Sequence, residues 1–213
     1  MVVSKLVADK NKKAKRVPDM LIAETLHGKP IYYQGYKQVL SRKLKPTDII
    51  GISDVQSFFT NLIKDHLTPL LKKDYKVLAG ELGLHLQHQD NVSVDIAIVS
   101  RELYQPSNFK GKYLDYPPQV VVEIDINIDP LESFGNNSEY VNIKTQALLD
   151  FGVEQVIWVF TKSRKITVAQ NNSPWLTPKS KSACVLILTY SLLFPKLSRG
   201  SIFMSISTTT CGG

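Results

Sequence analysis

The chain has 213 residues, 43% of them hydrophobic and 21% charged, with a formal net charge of +7 and a pI near 9.3. That length suits one domain with a proper core, and the composition is that of a soluble globular protein. No apolar run reaches the roughly 18 residues of a membrane span. The start, Met1-Val2-Val3-Ser4-Lys5, lacks the apolar core and small-residue cleavage site of a signal peptide, so the expectation is a cytoplasmic protein without membrane association.

The two cysteines, Cys184 and Cys211, belong to no CxxC or Cys/His cluster, which argues against structural zinc. The expected compartment argues against a disulfide. The basic balance fits an anionic partner, most simply nucleic acid. Much of the excess sits in Lys10, Lys12, Lys13, Lys15 and Arg16, within a basic arm read as residues 1–18. A charge run at a terminus is more often a solvated arm than a phosphate-binding one.

The domain proper is expected over residues 19–178. His27-Gly28-Lys29-Pro30 is a turn signature, and Ile31-Tyr32-Tyr33 after it reads as a short strand. Tyr32, Tyr33 and Tyr36 are more readily core-packing aromatics than base-stacking ones. Ser53 is a candidate N-cap with Gln56 in the capping-box position. The spacing of Phe58, Phe59, Leu62, Ile63, His66, Leu67, Leu70 and Leu71 then marks an amphipathic helix, which Pro69 should kink or restart. From Glu81 to His88 polar and apolar residues alternate as in a half-exposed strand. His85 and His88 would point to opposite faces of it, a poor metal pair. Residues 92–99 form a second strand around one carboxylate, Asp95.

Residues 101–118 are polar and broken by Pro106, Gly111 and Pro117-Pro118, and they mix Lys110 and Lys112 with Tyr104, Phe109, Tyr113 and Tyr116. A long connection of this kind is often functional or mobile, and its composition is compatible with a nucleic-acid backbone; a solvated loop explains it equally well. Residues 120–126 read as a central strand carrying Glu123 and Asp125. A loop over 127–137 leads to a helix over 138–151 that Gly152 stops. Residues 155–160 are another buried strand, and 166–169 its hairpin partner. Past Pro178 one strand is expected over 183–190, with a poorly ordered end.

Acidic residues inside runs this apolar need pairing, hydrogen bonds or a metal ion. With a period of two, Glu123 and Asp125 share a face, and Asp95 on a neighbouring strand can join them. Glu81, on the strand before, can reach the same place. Carboxylate oxygens suit Mg²⁺, which activates water and stabilises charge on a phosphodiester. Lys144 on the next helix is positioned to orient that water or neutralise the same charge.

These residues carry a resemblance. The strand 92–99 around Asp95, the segment Pro117 to Asp125 and the run Lys144 to Val159 together resemble the PD-(D/E)xK, or restriction-endonuclease-like, superfamily. The likeness covers roughly residues 81–169, and it is closest to a large group of uncharacterised bacterial proteins assigned as restriction endonucleases. It implies an α/β (α+β) fold with a mixed central sheet flanked by helices. It further implies Mg²⁺, with Mn²⁺ as an alternative, and cleavage of DNA. Asp95 takes the first acidic position and Glu123 the second, and Glu81 matches an upstream acid. Val94 stands where the motif has proline. Asp125 stands where the motif has lysine, and reading Asp125 as the second acid leaves Asn127 there. Lys144 is the natural substitute, since the lysine migrates to that helix elsewhere in the superfamily. The expectation is therefore a metal-dependent endonuclease with Asp95, Glu123, Asp125 and Glu81 as metal ligands and Lys144 as catalytic partner. A homodimer is expected by analogy, since two sites suit two strands. The rival readings are a catalytically impaired member that binds DNA or a protein partner, and hydrolysis of another phosphoester.

Overall fold

The computed structural model describes residues 16–126 and 128–177. The strand expected over 183–190, both cysteines and the lysines of the arm up to Lys15 lie outside these residues. Within them the chain forms one eight-stranded mixed sheet with helices packed on its two faces.

The elements follow the sequence chemistry. β1 (Ile22–Leu26) and β2 (Lys29–Tyr33) make a hairpin whose turn, His27-Gly28, has φ of 53° and 68°, the paired positive values of a tight two-residue loop. A short helix, α1 (Tyr36–Leu40), follows, and Tyr36 is buried against Tyr32 with ring centroids 4.5 Å apart. The helix α2 (Asp54–Leu71) starts at Ser53, whose hydroxyl accepts from the Gln56 N–H at 3.1 Å. It continues through Pro69 to Leu71 without a break.

Only part of the apolar spacing in α2 faces inward. Leu67 and Leu71 are buried, whereas Phe58, Leu62 and Leu70 are exposed. The buried face instead runs through Gln56, Thr60, Leu67 and Leu71.

β3 (Tyr75–Gln87) and β4 (Asp90–Ser100) form a long hairpin in which β4 is the strand the rest of the sheet joins. Next come β5 (Val120–Ile124), β6 (Ile128–Asp129), α3 (Leu131–Phe134) and α4 (Asn137–Phe151). The hairpin β7 (Gln155–Phe160) and β8 (Lys165–Gln170) completes the sheet. The connection expected as plain loop over 127–137 thus contains β6 and α3. β6 pairs with β2 at the far edge. The Asn136 side chain caps α4 through the Glu139 N–H at 2.8 Å, and Gly152 ends the helix with φ of 111°. No helix among the described residues is long and apolar enough to cross a membrane.

Strands run in the order β6-β2-β1-β4-β5-β7-β8, with β3 on the other edge of β4. Among these strands of the described residues only β5 and β7 pair in parallel, joined through α4. Alternate residues of β4 and β5 serve the two faces. Val99 and Val121 pack towards Leu148 and Leu149 of α4, while Ile96, Ile98, Val120 and Val122 pack towards Leu67 and Leu71 of α2.

One feature of this topology positions the site. β3 occupies one edge of β4 along its whole length, so β1 and β5 must share the other. β1 meets β4 at Asn91, and β5 meets it at Ile96 to Ile98. Between them the backbone of Ser93 to Asp95 has no strand partner on that edge among the described residues. Opposite this gap, β3 carries a bulge at Gly80-Glu81, where both residues have positive φ, 103° and 43°. Bulges of this sort turn side chains away from the regular alternation.

Candidate functional site

Side chains converge on the open edge from every element around it. Glu24 comes from β1, Asp95 from β4, Glu123 from the end of β5, and Tyr140 and Lys144 from one face of α4. All five line one pocket, together with Tyr33, Gln56 and Glu81. Tyr140, Lys144 and Leu148 are buried at four-residue spacing on α4. The helix is held to β7 by Trp158, whose indole N–H donates to the Thr145 hydroxyl at 2.9 Å. Trp158 lies opposite Glu123 in the parallel register of β5 and β7, so Glu123 faces α4.

Lys144 is the hub. Its side chain is 3% exposed. The ammonium donates to Glu24 Oε1 and to the Ser93 carbonyl, each at 2.7 Å. It also stands 3.1 Å from Glu123 Oε1. The Ser93 N–H donates to Glu24 Oε1 at 3.1 Å, and the Tyr140 hydroxyl donates to Glu24 Oε2 at 2.8 Å. Glu24 and Lys144 thus satisfy the two backbone groups of Ser93 that the fork leaves without a strand partner. Burial alone would lower the pKa of Lys144. The carboxylates of Glu123 and Glu24 and the Tyr140 hydroxyl outweigh it and hold the ammonium well above its ordinary value.

Asp95 is clamped from two sides. Its Oδ1 accepts from the Gln56 side-chain amide at 2.5 Å, and its Oδ2 accepts from the Ile124 N–H at 2.6 Å. Burial nevertheless pushes its pKa up to about 6, against the lowering effects of Ile124, Lys144 and Gln56. Glu123 is raised further, to about 8, by burial and then by the neighbouring Asp95 and Glu24, with Lys144 opposing. Its Oε1, although 3.1 Å from the ammonium, accepts no hydrogen bond of acceptable angle. It is a buried oxygen whose partner is the Lys144 charge.

The charge balance is informative. Glu24, Asp95 and Glu123 face only Lys144 among the buried charged residues of the pocket. Fully ionised, this group would carry two uncompensated negative charges in a poorly solvated place, which is costly. The raised values of Asp95 and Glu123 express that cost. A divalent cation is the complementary charge. Among the described residues no group of three or more His, Cys, Asp or Glu side chains is arranged to hold a metal. Asp95 and Glu123 are the two buried carboxylates of the pocket whose pKa values are pushed up, to about 6 and about 8. That pair fits Mg²⁺, which binds through one or two carboxylates and keeps several waters.

The other two expected ligands, Asp125 and Glu81, line the same pocket but are held differently from this pair. β5 ends at Ile124, and Asp125 has φ of 55°, so the strand alternation that would align it with Glu123 does not extend to it. Its carboxylate accepts instead from the Thr161 N–H at 2.9 Å and from the Thr161 hydroxyl. Glu81, turned by the bulge, is an exposed residue at the mouth, and its pKa is raised by partial burial and by Glu24.

Glu24 and Tyr140 were not singled out as site residues from the sequence. The signal for Glu24 is one acid within Ile22-Ala23-Glu24-Thr25-Leu26 just before a tight turn, the pattern that drew attention to Asp95.

No family model matches the chain, and no curated protein sequence does. Among solved structures the chain is similar to a crystal structure from Anabaena variabilis, described as that of "a putative nuclease belonging to DUF820". The two share 13% identity over 80% of this chain and 90% of that one, with a TM-score of 0.49.

Proposed function

We propose that the protein is a metal-dependent endonuclease that hydrolyses DNA phosphodiester bonds at the fork between β1, β4 and β5. The observation that carries this reading is the Lys144 ammonium, 3.1 Å from Glu123 and hydrogen-bonded to Glu24, in one pocket with Asp95. The acid-x-Lys position after Glu123 has no lysine, and a lysine from α4 supplies the cation there instead.

Asp95 and Glu123 would hold Mg²⁺ or Mn²⁺. Bound there, the ion would supply Lewis acidity and an activated water. The chain's own groups divide the rest. Lys144, held protonated by its neighbours, offers positive charge and a donor to a phosphate oxygen or to the attacking water; it does not take a proton. Glu24 fixes Lys144, and Tyr140 fixes Glu24. Gln56 and the Ile124 N–H orient Asp95.

One observation favours a second reading, in which the protein keeps the fold and binds DNA without cutting it. The hydrogen bonds that Lys144 makes go to Glu24 and to Ser93, both protein groups. A supercoiled-plasmid assay separates the two. Nicking that requires Mg²⁺ or Mn²⁺ and disappears in Glu123→Ala is the expected result. Binding without nicking in either metal supports the second reading, and cleavage unchanged in Glu123→Ala overturns the assignment.

A further inference from the structure

The segment 101–118 carries a feature that the reading above does not use. It crosses the outer edge of β3, where the Leu114 N–H donates to the Gly83 carbonyl at 3.0 Å and the His85 N–H donates to the Leu114 carbonyl at 2.8 Å. This anchoring lays the ring of Tyr113 flat on Gly83. A Cβ at residue 83 would lie 2.4, 2.6 and 2.7 Å from three adjacent ring carbons, so only glycine lets the ring come so close to the strand. Tyr113 is nevertheless 56% exposed. Phe109 beside it is 54% exposed and leans on Tyr104 with centroids 4.8 Å apart. Both rings line one hollow with Lys110 and Lys112. Lys110 is paired with Asp115 at 2.6 Å, on the surface, where such a pair contributes little.

This hollow adjoins the acidic pocket. Gly83 is two residues along β3 from Glu81, roughly 7 Å by strand rise, and Glu81 borders the pocket mouth. Tyr33, also on the pocket wall, lies within electrostatic reach of both Glu81 and Tyr113. A rigid aromatic plane with one face on the backbone and much of its surface in water, flanked by lysines, has a specific chemistry. It stacks on the π-face of a base while the cations meet the phosphates. In a duplex that face is covered by the neighbouring base pairs.

We propose that Tyr113 is a stacking platform for an unpaired base, and that the site beside it takes single-stranded or locally unpaired DNA in preference to intact duplex. The proposal rests on the nuclease reading above, and its test separates the two.

The full-length chain is titrated, in EDTA, into a fluorescein-labelled single-stranded DNA oligomer and into the same sequence as a duplex, with anisotropy as the readout. The expected result is tighter binding of the single strand. Tyr113→Ala and Gly83→Ala should each weaken it about tenfold while leaving duplex binding unchanged, and Tyr113→Trp should retain it. Equal single-strand affinity in the parent and in Tyr113→Ala overturns the proposal, as does an equal loss on duplex. Preference of the parent for duplex, or for RNA of the same sequence, overturns the stated substrate. If Gly83→Ala fails to fold, Tyr113→Ala decides, since its ring is largely in solvent. Oligomer cleavage in Mg²⁺ is followed in parallel. Cleavage that survives Glu123→Ala removes the nuclease reading without touching Tyr113-dependent binding. Cleavage lost in Glu123→Ala, with normal binding by Tyr113→Ala, removes the stacking proposal alone.

Discussion

At the scale of single residues, the pocket is a charge problem with one cation in the middle. Lys144 meets Glu24 at 2.7 Å and Glu123 at 3.1 Å, all three buried. Removing one partner of such a cluster leaves the others unpaired in a low-dielectric place. Lys144→Met, which keeps the volume of the stem, should therefore destabilise the protein by about 3 kcal/mol, measured by urea denaturation at neutral pH. Glu123→Gln should act in the opposite direction at high pH. In the folded chain Glu123 titrates near 8 and Asp95 near 6, against ordinary values of 4.5 and 3.8. Between those limits the folded state binds more protons than the unfolded one, so stability falls as pH rises. The loss begins near pH 4 and is complete above about 8. Thermal melts across that range should show the decline in the parent. In Glu123→Gln the part between about pH 6 and 8 should flatten, and the variant should melt above the parent at pH 9. The sequence made Asp95 and Glu123 legible because an acid stands out in an apolar strand. Lys144 read as a solvated helix lysine unless paired with those acids. Its place in the four-residue series with Tyr140 and Leu148 is what puts it inward.

At the scale of elements, the site exists because two strands share one edge of β4 and do not meet. Periodicity revealed β3, β4, β5, α4, β7 and β8, since each carries its own repeat. It could not reveal the fork, which arises from pairing between residues nearly seventy positions apart, such as Ser93 with Glu24. β1 was overlooked because five residues with one acid and one threonine make a weak alternation. α2 was found from its cap and spacing, but the sequence assigned too many of its apolar residues to the core. Glu123 and Asp125 line one pocket, as expected of them, but regular strand alternation is not the cause, because the left-handed turn at Asp125 follows the end of β5 at Ile124. The same dependence on termini gives a test for α4. Gly152 closes the helix at φ of 111°, and a Cβ there would lie 3.1 Å from Pro117 Cγ. Both strain and contact penalise a side chain, so Gly152→Ala should cost about 1–2 kcal/mol, read as a lower urea midpoint at unchanged m-value. Because α4 carries Lys144, the metal-dependent nicking proposed above should fall further in this variant than its stability loss explains.

At the scale of the whole molecule, the acidic pocket is set in a chain whose net charge is +7. On the nuclease reading proposed above, a phosphate would have to approach buried carboxylates, and that approach is favourable only if cations surround the mouth. Lys110 and Lys112 line the neighbouring hollow with Tyr113. Lys5, Lys10, Lys12, Lys13 and Lys15 lie in the N-terminal stretch, which the sequence marks by charge alone. If that stretch neutralises phosphates, each contact releases condensed counterion, and log K falls with log salt by about 0.9 per contact on duplex and about 0.7 on single strands. A variant lacking residues 1–15 should then bind a single-stranded oligomer more weakly at low salt, with a slope shallower by about 2 if some three of these lysines engage. Anisotropy titrations of both chains between 50 and 200 mM salt, on the order of the range in which such slopes are read, give the answer. Parallel lines would assign the salt dependence to the lysines of the folded domain. A changed slope with an unchanged preference for the single strand would separate the charge that attracts the substrate from the tyrosine that selects it.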